Sequence, residues 1–132
     1  MSSLDCEGPA HPSAIEGLKL FNARKFWESH EALEHAWLEE KGAVRDLYRG
    51  ILQAAVVYLH VERANYAGAV KVYGRSQRWL TKWPAVCRGI QVGKLRYDLD
   101  SVIAAVRNLG PEHLHEFDRS LLRQINYDVD QE

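Results

Sequence analysis

The hydrophobic positions of this chain recur at helical spacing along most of its length. Large apolar residues return every three or four positions over 14–22, and the same period continues over 26–40 and 66–83. The segment 44–64 is apolar almost all the way round, which is typical of a helix surrounded by others. No stretch of useful length alternates as a half-buried strand does. The pattern therefore predicts an all-α domain with a buried central helix.

Local start and stop signals divide the chain. Three divisions are predicted: a disordered lead over 1–12, a single helical domain over 13–126 and an acidic tail over 127–132. Ser13 is expected to cap the first helix, and Gly42 to end the second in the left-handed conformation. Asp98 or Asp100 is expected to cap a shorter fifth helix that ends at Gly110.

The composition is that of an ordinary globular protein and excludes several classes. The 132 residues are 46% hydrophobic and 27% charged, and the net charge of -1 gives no general attraction to nucleic acid or anionic membranes. Residues 1–13 lack the apolar core of a signal peptide, and the longest apolar run, 51–61, is too short to cross a bilayer. Nothing argues that Cys6 and Cys87 pair, so we expect a reducing compartment and a cytoplasmic location.

One predicted helix concentrates acidic residues, histidines and tryptophans. At about 100° per residue, His30 and Glu34 lie inside the apolar arc of this helix, one turn apart, with Glu31 at the edge of the arc. Two residues of the cluster fall on the opposite side: Glu28 and His35. Because burying a lone carboxylate is costly, Glu34 is expected to have a partner, a proton or a metal.

The central helix carries a polar stripe that suits this pair. Arg49, Gln53 and His60 project within roughly 40° of one another. We predict that this stripe faces the His/Glu pair across a polar pocket. Arg49 would stand at one end of the pocket, and Trp37 would form a wall.

Imidazole and carboxylate side chains on facing helices are ligands for a divalent transition metal. We predict His30, Glu34 and His60 as metal ligands and Glu31 as a fourth ligand or the general base of a hydrolase. The spacing resembles His-Glu-x-x-His zinc helices, but Glu34 stands where the second histidine would be. Two alternatives stay open: metal-free acid/base chemistry, and a hydrogen-bonded network that only sets helix packing in an interaction or dimerisation module.

A second cluster mixes cations with aromatic residues near the end of the fourth helix. Its members are Arg75, Arg78, Trp79, Lys82 and Trp83. Single-stranded nucleic acids bind such mixtures, but at helical spacing in a slightly acidic chain we interpret this one as a solvated face or a dimer contact. The partner we expect is a second copy, rather than nucleic acid or a membrane. No small-molecule ligand can be named.

A set of spaced residues runs through the second, third and fourth predicted helices. They are Glu28-x-His30-Glu31-x-x-Glu34-x-x-Trp37, Gly50-x-x-Gln53, His60 and Asn65-x-x-Gly68-Ala69, preceded by Phe21-Asn22 and Phe26-Trp27. The combined pattern resembles the small bacterial and plant family catalogued as domain of unknown function 309, over residues 15–80. Trp27 and Ser29 stand where Phe and Ala are expected, which leaves the His and Glu positions untouched.

The resemblance implies a compact multihelical bundle built round a buried central helix pair, in a protein of bacterial type. A label of predicted metal-dependent hydrolase has been attached to the family. It implies the same candidate residues: His30, Glu31, Glu34, Gln53 and His60.

Overall fold

The computed structural model describes residues 5–128 and contains five α-helices in that range. The helices are α1 (Pro12–Asn22), α2 (Phe26–Glu39), α3 (Arg45–Glu62), α4 (Tyr66–Leu80) and α5 (Val92–His113). Between α4 and α5, the two-residue strands β1 (Val86–Cys87) and β2 (Ile90–Gln91) pair antiparallel. The predicted all-α class is confirmed, with one small hairpin that the periodicity did not reveal.

The third helix is the buried centre of the fold. Both α2 and α4 pack against α3, and α1 packs against α2. The side chains of Leu47, Ile51 and Tyr58 have no exposed surface. Gly50 lets α4 approach closely, because a Cβ at this position would lie 2.8 Å from Leu80 Cδ2. Contact with neighbours on several sides explains why α3 is apolar nearly all the way round.

Side-chain caps start two of the helices. His11 Nδ1 accepts a hydrogen bond from the backbone N–H of Ser13 at 3.0 Å, so His11 rather than Ser13 caps α1. Pro12 takes the first helical position, where a backbone N–H is not needed. Asn65 caps α4 by accepting from the N–H of Gly68 at 3.0 Å, at the break that the sequence predicts.

The connection between α2 and α3 differs from the predicted left-handed glycine cap. α2 ends at Glu39, and Glu40 continues in extended conformation with φ -72° and ψ 131°. Gly42 has no positive φ. Its N–H donates to Glu40 Oε2 at 3.1 Å, and a Cβ there would clash with the carboxylate of Asp5. The close approach of Asp5, and not a left-handed backbone conformation, explains why position 42 is a glycine.

The fifth helix is longer than its predicted cap allows. It begins at Val92, directly after the hairpin, whereas the sequence predicts a cap at Asp98 or Asp100. Asp98 is buried within the helix and accepts from Lys94 Nζ at 2.6 Å. Asp98 is therefore not a helix cap but the ion-pair partner of Lys94, one helical turn earlier. Gly110, with φ 76°, kinks the helix at its predicted end.

Residues 5–11, predicted to belong to a disordered lead, are instead packed against the hairpin. Cys6 and Cys87 form a disulfide. The guanidinium of Arg88 donates to the backbone oxygens of Asp5 and Pro9, each at 2.8 Å. A covalent bond and backbone hydrogen bonds order this segment without any hydrophobic period. Residues 1–4 of the predicted lead lie outside the described residues.

The disulfide also corrects the interpretation of two unpaired thiols. Cys6 and Cys87 are 81 positions apart, so their pairing depends on a tertiary contact that no local pattern encodes. Disulfides persist mainly in oxidising environments, which removes the argument from cysteine content for a reducing compartment. Within residues 5–128, no helix is long and apolar enough to cross a membrane.

The predicted acidic tail begins inside the fold. Tyr127 forms an antiparallel bridge with Ile90, and the N–H of Asp128 donates to the oxygen of Gly89 at 2.9 Å. These two residues therefore extend the edge of the hairpin. The remainder of the predicted tail, 129–132, lies outside the described residues.

Candidate functional site

The three predicted site residues of α2 lie at different depths. His30 is half-buried, and its ring stacks on Trp27 with the centroids 5.0 Å apart and the planes at 28°. Glu34 is half-buried, but Glu31 is exposed. Neither carboxylate forms a hydrogen bond or ion pair with another residue in the range 5–128. Glu31 thus faces solvent instead of flanking an inward pair.

The seam between α2 and α3 brings several predicted residues together. The two helices are joined by a short connection, which makes them antiparallel neighbours. Arg49 of α3 contacts Trp37 of α2. Successive turns then place Gln53 opposite the turn that holds Glu34, with His30 one turn further on. We call this seam, lined by these five residues, the α2–α3 groove.

Three buried polar atoms of the groove have no hydrogen-bond partner among the described protein atoms. They are His30 Nδ1, Trp37 Nε1 and Gln53 Oε1. Buried polar groups are nearly always hydrogen-bonded, and one left unpaired costs about 1–3 kcal/mol. The Tyr58 hydroxyl is also unpartnered, but it lies in the aromatic core, where its ring is 5.2 Å from that of Phe21. Three such atoms along one seam distinguish the groove from the core.

Arg49 lies between two tryptophans from different helices. Its guanidinium carbon is 4.9 Å from the ring centroid of Trp37 on α2 and 4.4 Å from that of Trp79 on α4. Arg45 lies 5.3 Å from Trp37, and Arg78 lies 5.1 Å from Trp79. Each such contact stabilises by about 0.5–2 kcal/mol. We call these five residues the Arg–Trp cluster; it connects α2, α3 and α4 at one end of the groove.

The sequence predicted part of this cluster. Trp37 and Arg49 lie together at one end of the groove. The sequence predicts Arg49 at one end of a pocket and Trp37 as a wall of it, but no contact between the two. Helical spacing indicates a solvated face or a dimer contact for Trp79 and Arg78, and it does not reveal that Trp79 contacts Arg49 of α3. The available signal was Gly50, because a glycine beside Arg49 allows a neighbouring helix to come close.

His60 lies away from the groove, contrary to its predicted place in the pocket. Its Nδ1 is 3.1 Å from Asn65 Nδ2, and a Cβ on Gly68 would lie 2.7 Å from the imidazole. Burial and the positive charge of Arg63 lower the pKa of His60. His60 shares a wheel position with Arg49 but stands about 16 Å further along the helix axis. Two residues on the same side of α3 therefore do not line the same pocket when they are this far apart along the helix.

The described residues, 5–128, include no group of three His, Cys, Asp or Glu side chains that could hold a metal ion. The groove offers one imidazole from His30, one carboxylate from Glu34 and the amide oxygen of Gln53. Catalytic zinc sites use three protein ligands from histidine, cysteine or carboxylates. The donor set therefore falls one strong ligand short of that pattern.

Comparison with known proteins places most of these residues in one family segment. Residues 14–72 match the family model described as Domain of unknown function (DUF309). Over these residues the chain is similar to this family. The predicted resemblance is confirmed, and the DUF309 segment contains every residue of the α2–α3 groove. Trp79 and Arg78 of the Arg–Trp cluster lie beyond the matched segment.

A relative from Aquifex aeolicus (strain VF5), described as an uncharacterized protein, is 26% identical over 95 residues. The alignment covers 71% of this chain but 28% of the relative, so the chain spans less than a third of that protein's length. Neither the DUF309 description nor this relative names an activity or a ligand.

Proposed function

We propose that this protein is a non-catalytic interaction module that forms a homodimer through the exposed face of α2. The observation that carries the proposal is a pair of exposed apolar side chains, Trp27 at 50% and Leu38 at 64%. The two residues are separated by eleven positions, which places them about 20° apart on the helix. Glu31 and Glu34 lie between the two on the same face, so this surface is mixed rather than continuously apolar. Tryptophan is enriched among the residues that dominate protein interfaces, and large apolar side chains exposed to water favour association.

The charges around these two side chains support a second copy as the partner. The first half of α2 presents two acidic residues to solvent, Glu28 and Glu31. The adjoining ends of α3 and α4 carry cations: Arg45, Arg49 and Arg78. A two-fold axis between these halves would set the acidic half of one copy against the basic half of its partner. Such a surface is self-complementary, and like charges would not meet.

The oligomeric state tests the proposal. Sedimentation equilibrium should show a dimer for the wild type and a monomer for Trp27→Ser combined with Leu38→Ser, with the helical circular dichroism unchanged. Tyr97→Ser is the matched control, because Tyr97 is 71% exposed on α5, away from this face. It should leave the dimer intact. A wild type that stays monomeric at its highest attainable concentration would overturn the proposal.

A charge exchange tests the two-fold arrangement. Glu31→Arg alone should weaken the dimer by placing cation against cation, and adding Arg78→Glu should restore it. Both side chains are exposed, so neither change should unfold the protein. A double variant that associates no better than Glu31→Arg would show that the two halves do not face each other.

A metal-dependent hydrolase is the second candidate, supported by the buried His30 Nδ1 and Gln53 Oε1 that lack protein partners. His30 and Glu34 would hold a divalent metal with the amide oxygen of Gln53 as a weaker third ligand, and Glu31, on the solvent side, would be the general base. His60 is left out because its Nδ1 contacts Asn65. A bound metal would lower the pKa of its water and supply a nucleophile.

The metal proposal is tested by elemental analysis of protein purified without chelator or affinity tag. Thermal unfolding with zinc, manganese or nickel should show a rise in Tm that His30→Ala removes. An absence of bound metal together with an unchanged Tm would count against this function.

A cytoplasmic location also stays a proposal, as does a bacterial origin. The Cys6–Cys87 disulfide weighs against the cytoplasm, where thiols are kept reduced. Alkylation of the protein in its native cells, before any reductant is added, would decide. Two added alkyl groups would indicate free thiols, and none would indicate the disulfide.

A further inference from the structure

A polar cleft lies between the end of α1, the start of α5 and the segment 120–126, apart from the α2–α3 groove. We propose that it binds a small anion with two or more negative charges. The cleft has a volume of about 400 Å³, within the range of pockets that hold small molecules. Its polar lining includes Asn22, Arg24, Lys94, Arg123, Gln124 and Asn126.

Three cations from distant parts of the chain line this cleft: Arg24, Lys94 and Arg123. The buried carboxylate of Asp98 serves two of them, 2.6 Å from Lys94 Nζ and 3.9 Å from Arg123 Nη1. Asp118, the other acid close enough to interact with Arg123, is hydrogen-bonded to Ser120. Three cations thus outnumber the two acids nearest to them, which favours an anion in the cleft.

Arg24 contributes a positive charge that no acid of the described chain neutralises. Its Nη2 donates to the backbone oxygen of Arg119 at 3.1 Å, and this is a neutral acceptor. The planar guanidinium keeps further N–H groups for the oxygens of a phosphate or carboxylate. Arg24 therefore supplies both net charge and hydrogen-bond donors.

The backbone at Arg24 supports a role for its side chain. Arg24 has φ 63°, the left-handed conformation that glycine usually adopts just after a helix. An arginine at this position is disfavoured by its Cβ. The side chain is thus present where stability alone favours glycine.

The walls of the cleft are held in place before any ligand arrives. The side chain of Asn22 donates to the oxygen of Ile125 at 2.9 Å and accepts from its N–H at 2.7 Å. Gln124 Nε2 donates to the backbone oxygen of Asn22 at 3.3 Å. These bonds fix the C-terminal segment across the end of α1. A preorganised site loses less conformational entropy on binding.

Inorganic pyrophosphate and citrate are the probes, because they separate phosphate from carboxylate as the source of the anion. Titration calorimetry at low salt should show binding of at least one probe to the wild-type protein. Arg24→Gly should weaken this binding about tenfold or more while leaving Tm unchanged or higher. Arg123→Gln should also weaken it, and Arg75→Gln, an exposed change on α4, should not.

The outcomes separate the alternatives. Tighter binding of pyrophosphate assigns the cleft to phosphate-bearing molecules, and tighter binding of citrate assigns it to polycarboxylates. The proposal is overturned if neither probe binds the wild type, or if Arg24→Gly and Arg123→Gln both bind as the wild type does. Because the cleft does not include the exposed face of α2, these results are independent of the dimer.

Discussion

The two seams of α2 are built in opposite ways. Against α1, Ser29 Oγ donates to the oxygen of Gly17 at 2.8 Å, and a Cβ on Gly17 would lie 2.6 Å from Leu33 Cγ. This seam is tight, and the hydroxyl buried in it is hydrogen-bonded. Against α3, His30 Nδ1 and Gln53 Oε1 are buried without protein partners.

Adjacent residues of one helix therefore serve different purposes. Ser29 and His30 are neighbours in sequence, but about 100° of rotation directs them to different seams. The α1–α2 seam contributes packing and satisfied hydrogen bonds. The α2–α3 groove gives up some of that stability, which is the pattern expected where a helix also carries a functional site.

Removing the disulfide should produce the largest change, because it anchors the segment that leads into α1 and so supports the tight seam. Cys6→Ser combined with Cys87→Ser should lower the free energy of unfolding by about 4 kcal/mol, since the bond closes a loop of 81 positions. Urea unfolding of the variant and the wild type would measure this loss. An identical urea midpoint for the wild type with and without reductant would contradict the prediction.

Overpacking the tight seam should have the next largest effect. Gly17→Ala should lower the free energy of unfolding by about 1–3 kcal/mol, because the new methyl group meets Leu33. Gly74→Ala on α4 is the matched control, since a Cβ there meets nothing within 4 Å. The control should raise stability by about 0.5–1 kcal/mol through helix propensity. If both substitutions raise stability, the seam is looser than described.

The groove should tolerate loss of a polar group better than the tight seam does. Gln53→Leu removes an acceptor that has no partner, so its stability change should stay within about 0.5 kcal/mol or be favourable. Ser29→Ala removes the side-chain hydrogen bond to the oxygen of Gly17, which keeps only its helical bond, and should cost about 1 kcal/mol. If chemical unfolding shows that Gln53→Leu and Ser29→Ala lower the free energy of unfolding equally, the two seams do not differ in this way.

The smallest effect concerns His60 and the pH dependence of stability. Burial and the charge of Arg63 lower its folded-state pKa, so the unfolded chain binds this proton more readily. The stabilisation is present above the unfolded pKa of about 6.5 and is lost as pH falls toward the folded value. Subtracting the Tm profile of His60→Gln from that of the wild type would show the sign. The opposite slope would place His60 near carboxylates, as the predicted pocket had it.

The candidate site was predictable where it depends on one helix. The 3.6-residue period placed His30 and Glu34 on the half-buried side of α2. The contact between Trp37 and Arg49 followed only from the packing of α2 on α3. It failed for His60, because a wheel angle carries no information about position along the axis.

The pattern of residues along the chain was enough to predict the helical class, the buried central helix and the resemblance of residues 14–72 to the DUF309 family. These features depend on the 3.6-residue hydrophobic period and on short sequence spacings. Both show which face of a helix a residue lies on. Three contacts could be found only in the folded protein: the Cys6–Cys87 disulfide, Trp79 against Arg49, and Arg24 beside the segment near Arg123. Each of those contacts joins residues far apart in the chain, and their position is decided by the packing of whole helices.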